Sequence, residues 1–180
     1  MKKIVIGVSC LLAMVGIGCS KQPPKGDANV ERHFQGDWRT EYLLDNSDMR
    51  MRVKEKISFD TLNNRYKVSQ VLMLIYPVTL KYADVSYEGT WSADKKYLHG
   101  VIDQSTLKNE LNPKFEEESE YQVYRDFVKN TADADMQKDE FVIRVIKDDR
   151  IHMIDLDRNV AHDLIRANVP EEAPEVDTTK

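Results

Sequence analysis

Met49-Arg50-Met51-Arg52-Val53-Lys54-Glu55-Lys56-Ile57-Ser58-Phe59 is the stretch that decides the fold. Met49, Met51, Val53, Ile57 and Phe59 share one parity, with Glu55 set among them, while Arg50, Arg52, Lys54, Lys56 and Ser58 share the other. A period of two describes a half-buried strand with one wet face. Runs rich in β-branched and aromatic residues recur on both sides of it: Trp38–Leu44, Tyr66–Tyr76, Thr79–Trp91, Tyr97–Ile102, Glu140–Lys147, Arg150–Leu156 and Val160–Arg166. Asp45-Asn46-Ser47-Asp48, Asp60-Thr61-Leu62-Asn63-Asn64, Ala93-Asp94-Lys95-Lys96, Asp148-Asp149 and Asp157-Arg158-Asn159 separate them. Short Asx-rich connections are hairpin chemistry. About eight strands in sequential hairpins predict a mainly β protein, an antiparallel meander that closes into a small barrel, because closure removes edges.

Two stretches depart from simple alternation. Val71-Leu72-Met73-Leu74-Ile75-Tyr76 is apolar on both parities before Pro77 interrupts it. It reads as a strand buried on both sides, or as one whose apolar surface opens onto a ligand cavity or partner groove. Residues 104–139 break the strand rhythm. Asn112-Pro113 suits a helix start, with Glu116, Glu117 and Glu118 in the early turns and Phe115, Tyr121, Tyr124 and Val128 on one stripe. This predicts a helix near 113–129, although Tyr121, Val123 and Phe127 also fit strand alternation.

Gly36-Asp37-Trp38 stands at the opening strand, and Gly89-Thr90-Trp91 repeats its spacing. A Gly-x-Trp at the first strand of such a meander resembles the start of lipocalin-type barrels. With Tyr87-Glu88-Gly89-Thr90-Trp91-Ser92 and the closing strand pair, the chain is similar to small lipocalin-like envelope lipoproteins. The resemblance covers about residues 32–168. It implies a tryptophan packed across the closed end of the barrel and an apolar ligand at the other end.

The amino terminus carries an address. Met1-Lys2-Lys3 precedes an apolar run from Ile4 to Ile17, and Ser20-Lys21-Gln22-Pro23-Pro24-Lys25-Gly26-Asp27 follows without a stop-transfer signal. The run is shorter than the roughly 20 residues a spanning helix needs and suits a secretory signal core. Gly16-Ile17-Gly18-Cys19 resembles the lipobox of bacterial lipoproteins, with Gly16 in place of the usual leucine. That resemblance implies removal of residues 1–18 and acylation of Cys19. Cys10 lies in the signal core, so the mature chain keeps Cys19 alone and forms no internal disulfide. Two or three acyl chains, at ~0.8 kcal/mol per buried CH₂, make a permanent anchor. Ser20 is not the aspartate that retains such proteins in the inner membrane, so an outer-membrane anchor facing the periplasm is expected.

Losing Lys2 and Lys3 takes the net charge from −5 to −7, which leaves no footprint for nucleic acid and no bulk attraction to anionic headgroups. The expected organisation is a signal peptide at 1–18, a lipidated flexible tether at 19–31, one barrel domain at 32–168 and a disordered acidic tail at 169–180.

Little in the chain suggests catalysis. There is no Gly-x-Ser-x-Gly elbow, and Cys19 is expected to be blocked. Glu116-Glu117-Glu118-Ser119-Glu120 is a solvated face. Asp133-Ala134-Asp135 and Asp155-Leu156-Asp157-Arg158-Asn159 open like calcium loops, but Lys138 and Val160 replace the sixth-position glycine and Arg144 and Arg166 the twelfth-position glutamate. Turn-forming Asx residues explain both. Among His33, His99, His152 and His162, the last two flank the final turn. A two-residue turn at Asp157-Arg158 sets His162 opposite Met153 and His152 on the other face, whereas a three-residue turn brings both to one face. No further zinc ligands are specified.

The sequence therefore leads to a non-enzymatic envelope lipoprotein with no cofactor and no metal, tethered to the membrane through Cys19. Its barrel is expected to bind an apolar small molecule or lipid, with Leu72, Leu74, Tyr76, Tyr87 and Trp91 as cavity residues. The alternative is an assembly factor, inhibitor or secretion pilot acting through protein contacts.

Overall fold

The computed structural model describes residues 22–46, 49–75, 80–113 and 138–170. The chain forms a short helix, α1 (Ala28–Phe34), followed by eight strands: β1 (Gly36–Asn46), β2 (Met49–Asp60), β3 (Arg65–Leu74), β4 (Leu80–Ala93), β5 (Tyr97–Leu111), β6 (Lys138–Ile146), β7 (Arg150–Asp155) and β8 (Ala161–Arg166). Each strand pairs antiparallel with the next, and β1 pairs with β8 through Trp38↔Arg166 and Arg39↔Ile165, so the meander closes into a barrel of the lipocalin-like kind.

Alternation and turn chemistry account for most of this. In β2, Met51, Val53, Glu55, Ile57 and Phe59 are all buried, as the period of two predicts. Asp60 turns the chain into β3: its carboxylate accepts from Leu62 N at 2.9 Å and Asn63 Nδ2 at 2.7 Å, and Asn64 takes the left-handed conformation at φ 50°. Asp94 does the same before β5, accepting from Lys96 N and Tyr97 N at 2.7 Å each. The β7–β8 turn sets Met153 opposite His162 and His152 opposite Asp163, the register of the two-residue turn.

Two boundaries differ from the sequence reading. The rhythm does not break at residue 104, because β5 continues to Leu111, with a register shift against β4 between Ser86 and Glu88. Residues 28–31, expected in the tether, belong to α1. Asp27 caps this helix by accepting from Asn29 N at 2.9 Å, and Val30 and Phe34 are buried. Seven residues are too few for a helix to stand alone in water. Packing supplies the rest: the Phe34 ring lies 5.4 Å from Phe59 and 5.7 Å from Trp91. Beyond Pro113, the helix expected near 113–129 falls outside the described residues, as do Cys19, the signal core and residues 171–180 of the tail.

The closed end of the barrel is aromatic. Trp38, wholly buried, donates from Nε1 to Phe34 O at 2.6 Å, and the Arg166 guanidinium stacks 4.0 Å from its ring centroid. Arg166 also donates to His33 O and Gln35 O, tying α1 to the last strand. Gly36 sits at φ +100°, where a side chain would be strained. Gly89 answers a different need: a Cβ there would lie 2.3 Å from Val101 O and 2.4 Å from the Tyr66 ring. Both Gly-x-Trp units thus serve one floor, with Trp91 packed at 4.8 Å on Phe59.

Candidate functional site

Above the aromatic floor the barrel lumen carries a layer of polar side chains. Glu55 enters from β2 because it shares the parity of Val53 and Ile57, and it is 94% buried by the same rule that buries them, being 6% exposed. Its carboxylate accepts hydrogen bonds from Tyr42 of β1 and Gln70 of β3, while Oε2 has no protein partner. Across the lumen, Asp139 of β6 turns its carboxylate inward, accepting from Tyr66 Oη at 3.0 Å and Tyr87 Oη at 3.5 Å.

The β7–β8 turn supplies the cation. Asp155 Oδ1 accepts from Asp157 N at 2.8 Å and Arg158 N at 2.9 Å, and its Oδ2 pairs with Arg158 Nη1 at 3.2 Å. This Asx turn directs the Arg158 guanidinium into the barrel, where it lines the same cavity as Glu55 and Asp139. His162 of β8 completes the layer, its ring 4.3 Å from Tyr42 and edge-on to Phe141 at 5.3 Å. Both of its ring nitrogens are buried without a protein partner.

Low dielectric and mutual repulsion decide the charge states. Burial, followed by the charge of Asp139, raises Glu55 from 4.5 to about 7. Burial also raises Asp139, against the pull of Arg158. Burial lowers His162 from 6.5 to about 4, keeping the ring neutral. Burial likewise raises Tyr42, Tyr66 and Tyr87 well above the ordinary phenol value, so all three remain hydroxyl donors. The layer can bind and release a proton near neutral pH at Glu55, and it holds Asp139 as an acceptor.

The remaining space is small. The cavity among Glu55, Gln70, Tyr87, Asp139, Arg158 and His162 measures about 20 Å³, enough for one water molecule, which needs ~10–15 Å³. Glu55 and His162, both in the cavity lining, carry the groups that lack protein partners, Glu55 Oε2 and the two His162 nitrogens.

Of the residues expected to form an apolar ligand cavity, Tyr87 and Trp91 line this space. Leu72 and Leu74 lie on the inward face nearer the end away from α1, 2% exposed each and outside the cavity lining. Tyr76 falls outside the described residues. Sequence reasoning did not single out Glu55, Asp139 or Arg158. The signal for Glu55 was present as the one charged residue in an apolar parity. Asp155 was seen only as a turn residue, and it is also the ion-pair partner of Arg158. Among the described residues no three His, Cys, Asp or Glu side chains are grouped to hold a metal ion.

No protein-family model matches the chain, and no curated protein matches it in sequence.

Proposed function

We propose that the protein is a non-enzymatic lipoprotein of the bacterial cell envelope, anchored in the outer membrane by acyl chains on Cys19, and that it acts through contacts of its outer surface. The observation that supports the choice of surface over lumen is the small polar cavity among the described residues. An apolar ligand of drug size needs roughly 300–1,000 Å³, whereas the cavity in the polar layer, among the described residues, keeps about 20 Å³ and is lined by two carboxyls and a guanidinium. Placing hydrocarbon against unpaired Glu55 and His162 would leave polar groups desolvated, a cost of about 1–3 kcal/mol each.

Carriage of an apolar molecule is the second reading. Met51, Val53, Leu72 and Leu74 support it, since they form a buried apolar inner face between the polar layer and the end away from α1.

Two measurements test these readings. Cells fed labelled palmitate should label the wild-type chain and leave Cys19→Ser unlabelled; an unlabelled wild-type chain would remove the anchor. Native mass spectrometry of protein extracted from envelopes should then show a ligand-free barrel, with a partner retained after cross-linking. A stoichiometric bound lipid would decide for carriage.

A further inference from the structure

The chain is acidic overall, yet its cations are not spread evenly. On β2 every outward position from Arg50 to Lys56 is basic: Arg50, Arg52, Lys54 and Lys56. Register extends the stripe sideways, since Lys56 lies opposite Arg39 on β1 and Ser58 lies opposite Lys67 on β3. The side chains reach water, with Lys54 53% and Lys67 69% exposed. Carboxylates on this wall are fewer. Glu41 is shared between Arg52 at 3.2 Å and Lys54 at 3.6 Å, and Glu88 between Lys67 at 2.8 Å and Arg65 at 3.4 Å. Each of these acids faces two cations; register adds Asp37 opposite Ser58 and Asp45 opposite Arg50 on β1, and the cations of β2 and β3 outnumber these carboxylates. At one end of the stripe Arg39 and Lys56 border a surface groove of about 720 Å³ that runs along Ala167–Pro170. The opposite wall is mixed, with exposed Glu140 on β6 and Asp163 on β8 each beside a histidine, and exposed Arg144 on β6 and Arg150 on β7.

We infer that the β1–β3 wall of the barrel docks on an anionic phospholipid surface, its basic stripe against the headgroup phosphates. The inference rests on the proposed anchoring, which supplies the geometry. From Cys19 to Asp27, where the backbone is fastened to Ala93 O at 2.7 Å, an extended chain reaches about 25–30 Å. That is enough for a side wall to settle on the bilayer that holds the acyl chains. Guanidinium and ammonium groups suit phosphate oxygens, and each adds attraction near an anionic leaflet that acts within a Debye length. The tether keeps the stripe at high effective concentration beside its target, so weak individual contacts suffice.

The test uses the full lipidated protein in vesicles of phosphatidylcholine alone or with phosphatidylglycerol. A water-soluble acetylating reagent labels lysines, and mass spectrometry reads the rate at each site. Lys54, Lys56 and Lys67 should react several-fold more slowly in the phosphatidylglycerol vesicles, and Lys95 and Lys96 in the β4–β5 turn at the same rate in both. About 1 M salt, where the screening length falls to ~3 Å, should abolish the difference. The double variant Lys54→Glu with Lys56→Glu should lose the protection of Lys67. Equal rates in the two lipids would overturn the inference, as would protection that appears only in native envelopes, which would assign the wall to an acidic protein. Failure of the anchor is read separately, as protein that does not float with phosphatidylcholine vesicles.

Discussion

Glu55 and His162 face one cavity and pull stability in opposite directions as pH changes. Because Glu55 titrates at about 7 when folded and 4.5 in its ordinary state, the folded barrel binds that proton more tightly than the unfolded chain. Its contribution is whole below pH 4.5 and is lost as pH rises to 7, at about 1.4 kcal/mol per unit. His162, lowered from 6.5 to about 4, does the reverse: its contribution is whole above pH 6.5 and is lost as pH falls towards 4. Asp139, also raised, adds to the Glu55 side. Glu55→Gln should therefore tilt the stability profile between about pH 4.5 and 6.5 upward with pH, and His162→Phe should tilt it downward. Urea midpoints at the two ends of that window check both signs, and a Glu55→Gln profile parallel to wild type would refute the assignment. Arg158 gives a second test at this scale. Its side chain is 27% exposed and its partner Asp155 6%, so Arg158→Ala should cost about 2–3 kcal/mol, less than the loss of a fully buried pair. Acidification should recover part of the loss by neutralising the carboxyls.

At the scale of elements, α1 and the Gly-x-Trp units act together. α1 adds little by propensity, being seven residues long, and is held by Phe34 on the aromatic floor and by Arg166 bonds to His33 O and Gln35 O. Phe34→Ala should destabilise the barrel by about 3–5 kcal/mol, the range for a fully buried aromatic, measured by thermal or denaturant unfolding. The loss should include the helical signal of α1, since its larger anchor in the core is gone and Val30 alone remains. On β4, Gly89→Ala should cost more than an exposed strand glycine would, because the new methyl meets the Val101 carbonyl, which cannot swing aside. A Gly89→Ala barrel as stable as wild type would show that β5 yields there.

For the whole molecule, the small polar cavity predicts indifference to apolar ligands. The chain has two tryptophans, and Trp38 and Trp91 are at most 1% exposed on the barrel floor. Adding a long-chain fatty acid to the folded protein should leave their emission unchanged, whereas saturable quenching would favour carriage. The distribution of charge also belongs to this scale. Net charge counts ions and is blind to where the strands place them, so a −5 chain can present a basic wall on β2.

How much was legible beforehand follows the range of each interaction. Alternation in Met49–Phe59, the Asx turns at Asp60, Asp94 and Asp155, and the pairing of Met153 with His162 are set by neighbours a few residues apart, and the meander was readable from them. Glu55 itself was visible as an odd residue in an apolar parity, but its meaning was not. Tyr42, Gln70, Asp139 and Arg158 reach it from other strands, and only closure of the barrel brings them to one layer. The same holds for α1, whose seven residues form a helix because a folded floor awaits Phe34. Periodicity and turn chemistry are local and so were fixed by the order of residues. The burial that shifts protons and gathers one polar layer inside the barrel is a property of the closed sheet alone.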